Sequence, residues 1–253
     1  RAQVEQLAAP PKGLPPSQML SASLDEVIAR RVDFLVDYQN EDWAARYRRL
    51  VDKVRQTEAR LAAPGDGGAA RLPLTDTVAR YFFKLMSYKD EYEVARLYTS
   101  GEFERRLREQ FEGDFRLSFH LAPPLLARRN ERGELIKRRF GPWMMGAFRL
   151  LAKLRGLRGT ALDIFGKTEE RRTERRLIDD YERMIESLLG SLERDQLELA
   201  VEIAGFPEGV RGFGHVKEQK LSAALRARDA LLSRWTERKL VSPGVESANA
   251  PQA

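Results

Sequence analysis

The chain has 253 residues, 42% apolar and 32% charged, with 44 Arg and Lys against 38 Asp and Glu, two histidines and no cysteine. This suits one large soluble domain or two small ones, and no apolar run, "GPWMMGAF" being the longest, approaches the roughly 18 residues of a membrane-spanning helix. Without cysteine, disulfides, thiolate zinc sites, cysteine nucleophiles and Cys-ligated iron–sulfur clusters are excluded from this segment.

Residues 1–20, "RAQVEQLAAPPKGLPPSQML", open on Arg1 in a Pro-rich run and read as an incoming linker, so a piece of a longer polypeptide is expected. With no secretory pattern there, a cytoplasmic protein is expected. Ser23 followed by Glu26 is a capping-box pattern, and Leu24, Val27, Ile28, Leu35, Trp43, Tyr47, Leu50, Val51 and Val54 follow at helical period. An unbroken helix to Leu61 would be about 58 Å long at about 1.5 Å per residue. A compact chain of this size has a radius of gyration near 18 Å, or roughly 2.2·N^0.38. A break or hairpin is therefore expected around Gln39 and Asn40, where "NEDW" offers a new cap.

The loop "APGDGGAARLP" contains a GDG that invites a thiamine diphosphate reading. No strand precedes it, and the next asparagine, needed downstream for the metal, is as far away as Asn130. It reads as a linker. Thr75 to Phe111 is again helical, with Ser100 a candidate internal cap. Phe115, Leu117, Phe119 and Leu121 then alternate as in a strand that stops at Pro123-Pro124, and "ELIKRRF" is a second extended piece, so a two-stranded ribbon is expected. Gly141-Pro142 opens another helix. Further helices are expected from about Thr168 to Leu192, Asp195 to Ala204 and Val216 to Glu237. The fold class is mainly α with a small two-stranded β element, in one helical domain over 21–240, and 241–253 read as a disordered tail.

Several stretches carry candidate chemistry. In "VRGFGHVK", Gly212 and Gly214 can bring backbone N–H groups close to a ligand at a helix start, with Arg211, His215 and Lys217 adding charge. That is an anion-binding pattern; the same residues also suit a tight inter-helix turn. Between Pro124 and Thr160 ten Arg and Lys stand against two Glu, a basic surface that steers anions or acidic partners, with Arg138, Arg139 and Arg158 as candidates, or else a solvated face. In "LRGTALDIFGKTEERR", Arg158, Gly159, Asp163, Lys167, Arg171 and Arg172 could form a phosphate clamp, or a loop pinned by an Asp163–Arg bridge. Lys84, Tyr88, Lys89, Tyr92 and Arg96 in "KLMSYKDEYEVARLY" read as a structural charge network or as an interface. His120, ending the strand before "LAPP", is a possible polar site, as a general acid or base or as a corner residue. Neither a catalytic set nor a metal-ligating set is identified. The high pI alone would suggest nucleic acid, but no motif and no stacking platform accompany it, and nucleic-acid or membrane partners are not expected.

The phrases "RRVDFLVDYQNEDWAARYRRLV", "LMSYKDEYEVARLY", "FHLAPPLL", "LRGTALDIFG" and "RGFGHVK" resemble the C-terminal region of the large fused bacterial indolepyruvate:ferredoxin oxidoreductases, from about Ser23 to Trp235. The resemblance implies a parent enzyme that oxidatively decarboxylates an aryl 2-oxoacid with coenzyme A and passes electrons to ferredoxin. It implies that thiamine diphosphate, magnesium and iron–sulfur clusters belong to upstream domains, with none of these cofactors in this segment. The expected role is then an accessory domain, not catalytic alone, that packs on those domains. As an alternative, it would bind an anion, either the phosphates of coenzyme A or an acidic ferredoxin.

Overall fold

The computed structural model describes residues 23–61, 72–113, 116–121, 136, 138–212 and 214–241. Over these the chain is mainly helical, in the order α1 (Leu24–Tyr38), α2 (Glu41–Leu61), α3 (Pro73–Met86), α4 (Glu91–Thr99), α5 (Glu102–Gln110), β1 (Phe119–Leu121), β2 (Arg138–Phe140), α6 (Met144–Lys153), α7 (Glu169–Leu189), α8 (Leu197–Ala204) and α9 (Gly214–Val241). Short 3₁₀ turns at Leu154–Leu157, Arg194–Gln196 and Phe206–Gly209 join the later helices. The Pro-rich start, the GDG loop, residues 122–135 between the strands and the tail beyond 241 lie outside the described residues.

The first two helices begin where local capping chemistry places them. The Ser23 hydroxyl accepts from the Glu26 N–H at 3.2 Å. After a break at Gln39, the Asn40 side chain accepts from the Trp43 N–H at 2.9 Å. An ion pair at 2.6 Å between Arg55, late in α2, and Asp25, early in α1, shows that the two helices fold back as a hairpin. The third helix has no cap of its own at Leu72. Glu58 of α2 supplies one instead: its carboxylate accepts from the Leu74 and Thr75 N–H groups at 2.9 and 2.8 Å and from the Thr75 hydroxyl at 2.6 Å.

The main core forms around α3, whose Val78, Ala79, Phe82 and Met86 are fully enclosed by α2, α7 and α8. Tyr47, Phe82 and Tyr181 stack in series with ring centroids 6.1 and 5.8 Å apart. Three buried phenols have carbonyl partners: Tyr38 donates to Tyr88 O, Tyr47 to Ala79 O and Tyr181 to Ala204 O, at 2.7, 3.0 and 2.9 Å. A second, smaller cluster of Ala95, Phe119, Met144 and Phe148 lies between α4, the ribbon and α6.

The structure corrects one sequence expectation and sharpens two others. The helical stretch after Thr75 breaks at Ser87–Asp90 as well as at Ser100, because Asp90 caps α4, accepting from the Glu93 N–H at 2.8 Å. Ser100 separates α4 from α5 by closing the former, its hydroxyl bonding Leu97 O; Gly101, at φ 78°, occupies the cap of the latter. The antiparallel ribbon is present but only three residues per strand, with Phe119 opposite Phe140, His120 opposite Arg139 and Leu121 opposite Arg138. Among the described residues, no helix is long and apolar enough to cross a membrane.

Candidate functional site

The loop between the 3₁₀ turn at Leu157 and α7 is built with its polar side chains inward. Arg158 is 2% exposed. Its Nε and Nη2 donate to the two oxygens of Asp90 at 2.6 and 2.9 Å, its Nη1 donates to Tyr38 O, and its guanidinium carbon sits 3.7 Å from the Tyr38 ring centroid. Asp163 gathers the backbone around itself: Oδ2 accepts from Gly159 N–H at 2.8 Å, and Oδ1 accepts from Gly166 and Phe165 N–H at 2.8 and 3.2 Å. The Tyr92 hydroxyl donates to Asp163 Oδ1 at 3.3 Å, and Arg175 lies 3.7 Å from Oδ2. Gly166 is required here, because a Cβ would stand 2.2 Å from Asp163 Oδ2.

With its polar groups turned inward, the loop shows apolar ones outward. Leu162 is 70% and Ile164 53% exposed, and α6 adds Leu150 at 62% with Trp143, at its N-cap, at 66%. Phe165 of the loop and Trp143 at the N-cap of α6 line one cleft of about 380 Å³, with Val94, Phe140, Phe148 and Leu151 in its wall. The cleft rests on the second cluster, where Tyr98 stacks on Phe148 at 5.0 Å and Phe119 meets both edge-on at 5.3 Å. At one end stand Lys89, Glu91 and Arg171. Arg171 pairs with Glu174 at 2.6 Å and lies 3.6 Å from Glu91, whose Oε2 is buried without a hydrogen bond. Burial raises the Glu91 carboxyl above its ordinary range, against the lowering effect of Arg171. The cleft is thus an aromatic-lined concavity within an exposed apolar face, the pattern of an interaction site.

The sequence candidates fall elsewhere in part. Arg158, expected to bind an anion, is spent on Asp90 and Tyr38 inside the fold, and "LRGTALDIFG" takes the form of the pinned loop. Tyr88 and Tyr92, expected at an interface, are 8% and 2% exposed; burial pushes the Tyr88 hydroxyl up to about 12. Lys84 donates to Pro207 O at 2.7 Å and so caps the 3₁₀ turn, while Arg96 forks onto Glu93 at 2.7 and 2.8 Å. Of that group only Lys89 reaches the cleft.

In the glycine-rich stretch, Gly212 makes the turn at φ 97° and Gly214 starts α9. Arg211 pairs with Glu208 at 3.3 Å and Lys217 with Glu174 and Glu170 of α7, so both cations have intramolecular partners; the His215 side chain lies outside the described residues. Arg138 and Arg139 are exposed on β2, the latter donating to the Ser118 hydroxyl at 3.2 Å, and His120 is exposed opposite Arg139. Among the described residues no group of three or more His, Cys, Asp or Glu could hold a metal ion.

Sequence reasoning missed Trp143, Leu150, Leu162 and Ile164. A signal was present in the near-continuous apolar run of α6, which has more apolar residues than one helix face can bury. No curated protein and no solved structure matches the chain. A family model does match over residues 24–230, most of the chain, and on that match the chain belongs to a family of unknown function, DUF6537.

Proposed function

We propose that this chain is an accessory domain that docks through the face formed by α6 and the 158–166 loop. The observation that carries this reading is the inverted loop: Arg158 and Asp163 are buried at 2% and 3% exposure while Leu162 and Ile164 stand in solvent, next in the chain to Phe165, which lines the cleft with Trp143. Buried polar groups with satisfied bonds make that loop rigid, and a rigid exposed apolar face is a preformed interface that loses little entropy on binding. The resemblance supplies the partner: the upstream domains of an aryl 2-oxoacid:ferredoxin oxidoreductase, cytoplasmic, which carry thiamine diphosphate, magnesium and iron–sulfur clusters. This segment then contributes no catalytic group and shapes the parent by packing.

The test is Leu162→Glu with Ile164→Glu in the full-length parent polypeptide, followed by 2-oxoacid decarboxylation, ferredoxin reduction and limited proteolysis. Lower turnover and faster cleavage between this domain and its neighbours are expected, with the helical circular dichroism unchanged. Unchanged turnover together with an unchanged cleavage pattern overturns the reading.

One observation favours a second reading, docking of an acidic partner such as ferredoxin or the phosphates of coenzyme A. Lys89, Arg138, Lys153 and Lys167, around the apolar face or next to it in sequence, are exposed and have no ion-pair partner among the described residues. Such a rim raises association rates in a salt-dependent way. Binding to reduced or oxidised ferredoxin that weakens steeply with salt, and weakens again in Arg138→Ala with Lys153→Ala, supports it; no binding at low ionic strength removes it.

A further inference from the structure

A second cavity, of about 320 Å³, shares no lining residue with the apolar cleft. It lies where the α1–α2 corner meets α7 and the start of the pinned loop, and its walls include Gln39, Trp43, Arg46, Tyr88, Gly159 and Arg175. Its chemistry is the reverse of the cleft's. Three arginines, Arg46, Arg158 and Arg175, line it with one carboxylate, Asp179, while Glu182, Asp90 and Asp163, outside the lining, pair with those arginines in turn.

Two of those arginines keep an unused nitrogen. Arg46 gives Nε to Glu182 at 2.8 Å and Nη2 to Asp179 at 2.7 Å, which leaves Nη1 without a hydrogen bond. Arg175 gives Nη2 to Gly166 O, while its Nη1 is buried and unbonded, 3.7 Å from the nearest carboxylate oxygen. Gln39 lends Nε2 to Arg158 O at 3.5 Å, and its Oε1 is buried with no partner. Buried polar atoms are almost always hydrogen-bonded, to protein, water or a ligand. Arg175 Nη1 and Gln39 Oε1, on residues that line one cavity, therefore offer a bound group unspent hydrogen-bonding capacity, and the less buried Arg46 Nη1 adds to it. The requirement is specific: acceptor oxygens for two guanidinium forks and one donor for an amide oxygen.

We propose that this cavity binds a protonated phosphate group. Its oxygens accept from Arg46 and Arg175, in the planar geometry guanidinium favours, and its P–OH donates to Gln39 Oε1. The volume exceeds what a phosphate fills, leaving room beside the Trp43 and Tyr88 rings for the organic body of a phosphomonoester. This site does not depend on the docking reading: it borders the start of the 158–166 loop but shares no residue with the apolar cleft and uses none of the exposed apolar side chains.

The experiment is calorimetric titration of the full chain, in phosphate-free buffer at neutral pH, with orthophosphate, sulfate and phenyl phosphate. Saturable orthophosphate binding is expected. Sulfate, which carries no proton at that pH, should bind about fivefold weaker for want of the single donor to Gln39. Arg175→Gln should weaken orthophosphate by about tenfold or more, the loss of one charge-assisted bond. If that variant does not fold, Gln39→Met carries the test by abolishing the preference for phosphate over sulfate. Tighter binding of phenyl phosphate than of orthophosphate identifies the site as one for an aromatic phosphate ester; the converse identifies free phosphate. Absence of saturation through the millimolar range, equal affinity for sulfate, or orthophosphate affinity unaltered by Arg175→Gln overturns the proposal.

Discussion

Arg158 is the residue on which the local structure turns, because its interactions tie the α4 cap, Asp90, to the last residue of α1, Tyr38, through both that residue's carbonyl and its ring. Arg158→Met leaves Asp90 buried and unpaired, which costs about 3–5 kcal/mol. Urea unfolding should read that loss, and Arg158→Met with Asp90→Asn should recover part of it because the stranded charge is gone. Glu91, the residue after that cap and part of the cleft lining, gives a pH test. Its folded-state pKa is raised above the ordinary 4.5, so the native state holds the proton more tightly than the unfolded chain does. Stability from this group is therefore greatest below the unfolded value, falls as pH climbs to the raised folded value, and is level above it. Glu91→Gln removes that slope. The thermal midpoint of the variant relative to the wild type should rise as pH climbs from the ordinary 4.5 to the raised folded value, and a constant difference would contradict the assignment.

At the scale of elements, the distinction between what could be read in the sequence and what could not follows the range of the deciding interaction. Ser23, Asn40 and Thr168 cap helices through bonds three residues long, and the chain states those starts locally. Asp90 does the same for α4 and was legible, but the neighbouring charges of "YKDEYE" concealed it within an apparently continuous helix. The start of α3 was not legible, since its cap is Glu58, on another helix. Arg158 and Asp90 are 68 positions apart, so sequence offers a free cation in a basic stretch where the fold has a buried ion pair. The exposed face was hidden for a related reason: only after Asp163 winds the backbone around itself do Leu162 and Ile164 turn outward. Glu58→Ala should thus cost about 2–3 kcal/mol, by stripping two N–H groups and a hydroxyl of their acceptor. Thr57→Ala, whose hydroxyl bonds only Lys53 O of its own helix, should stay within about 0.5 kcal/mol in the same urea experiment.

The whole molecule divides unequally. Among the described residues, twenty-nine buried side chains belong to the cluster around α3, and four to the one under the ribbon and α6. The smaller cluster is built from α4, the three-residue strands and α6, and the adjoining α5, in contact through the Tyr98–Phe103 rings, buries none of its residues. Its ties to the larger one include the Arg158–Asp90 pair and the Tyr38–Arg158 contacts. Free energy of opening follows buried apolar contact, so α4 to α6 should form a subglobal unit that opens before α3 and α7 do. Native-state hydrogen exchange in low denaturant should show α5, the ribbon and α6 exchanging well ahead of α3 and α7. Docking adds a consequence of opposite sign. An apolar face that is solvated in the free chain and covered in an assembly loses its opening route, so α6 should gain protection in the assembled state while α3 does not. Equal protection of α6 in both states would mean that Trp143, Leu150 and Leu162 remain in water, and the face would then need another occupant.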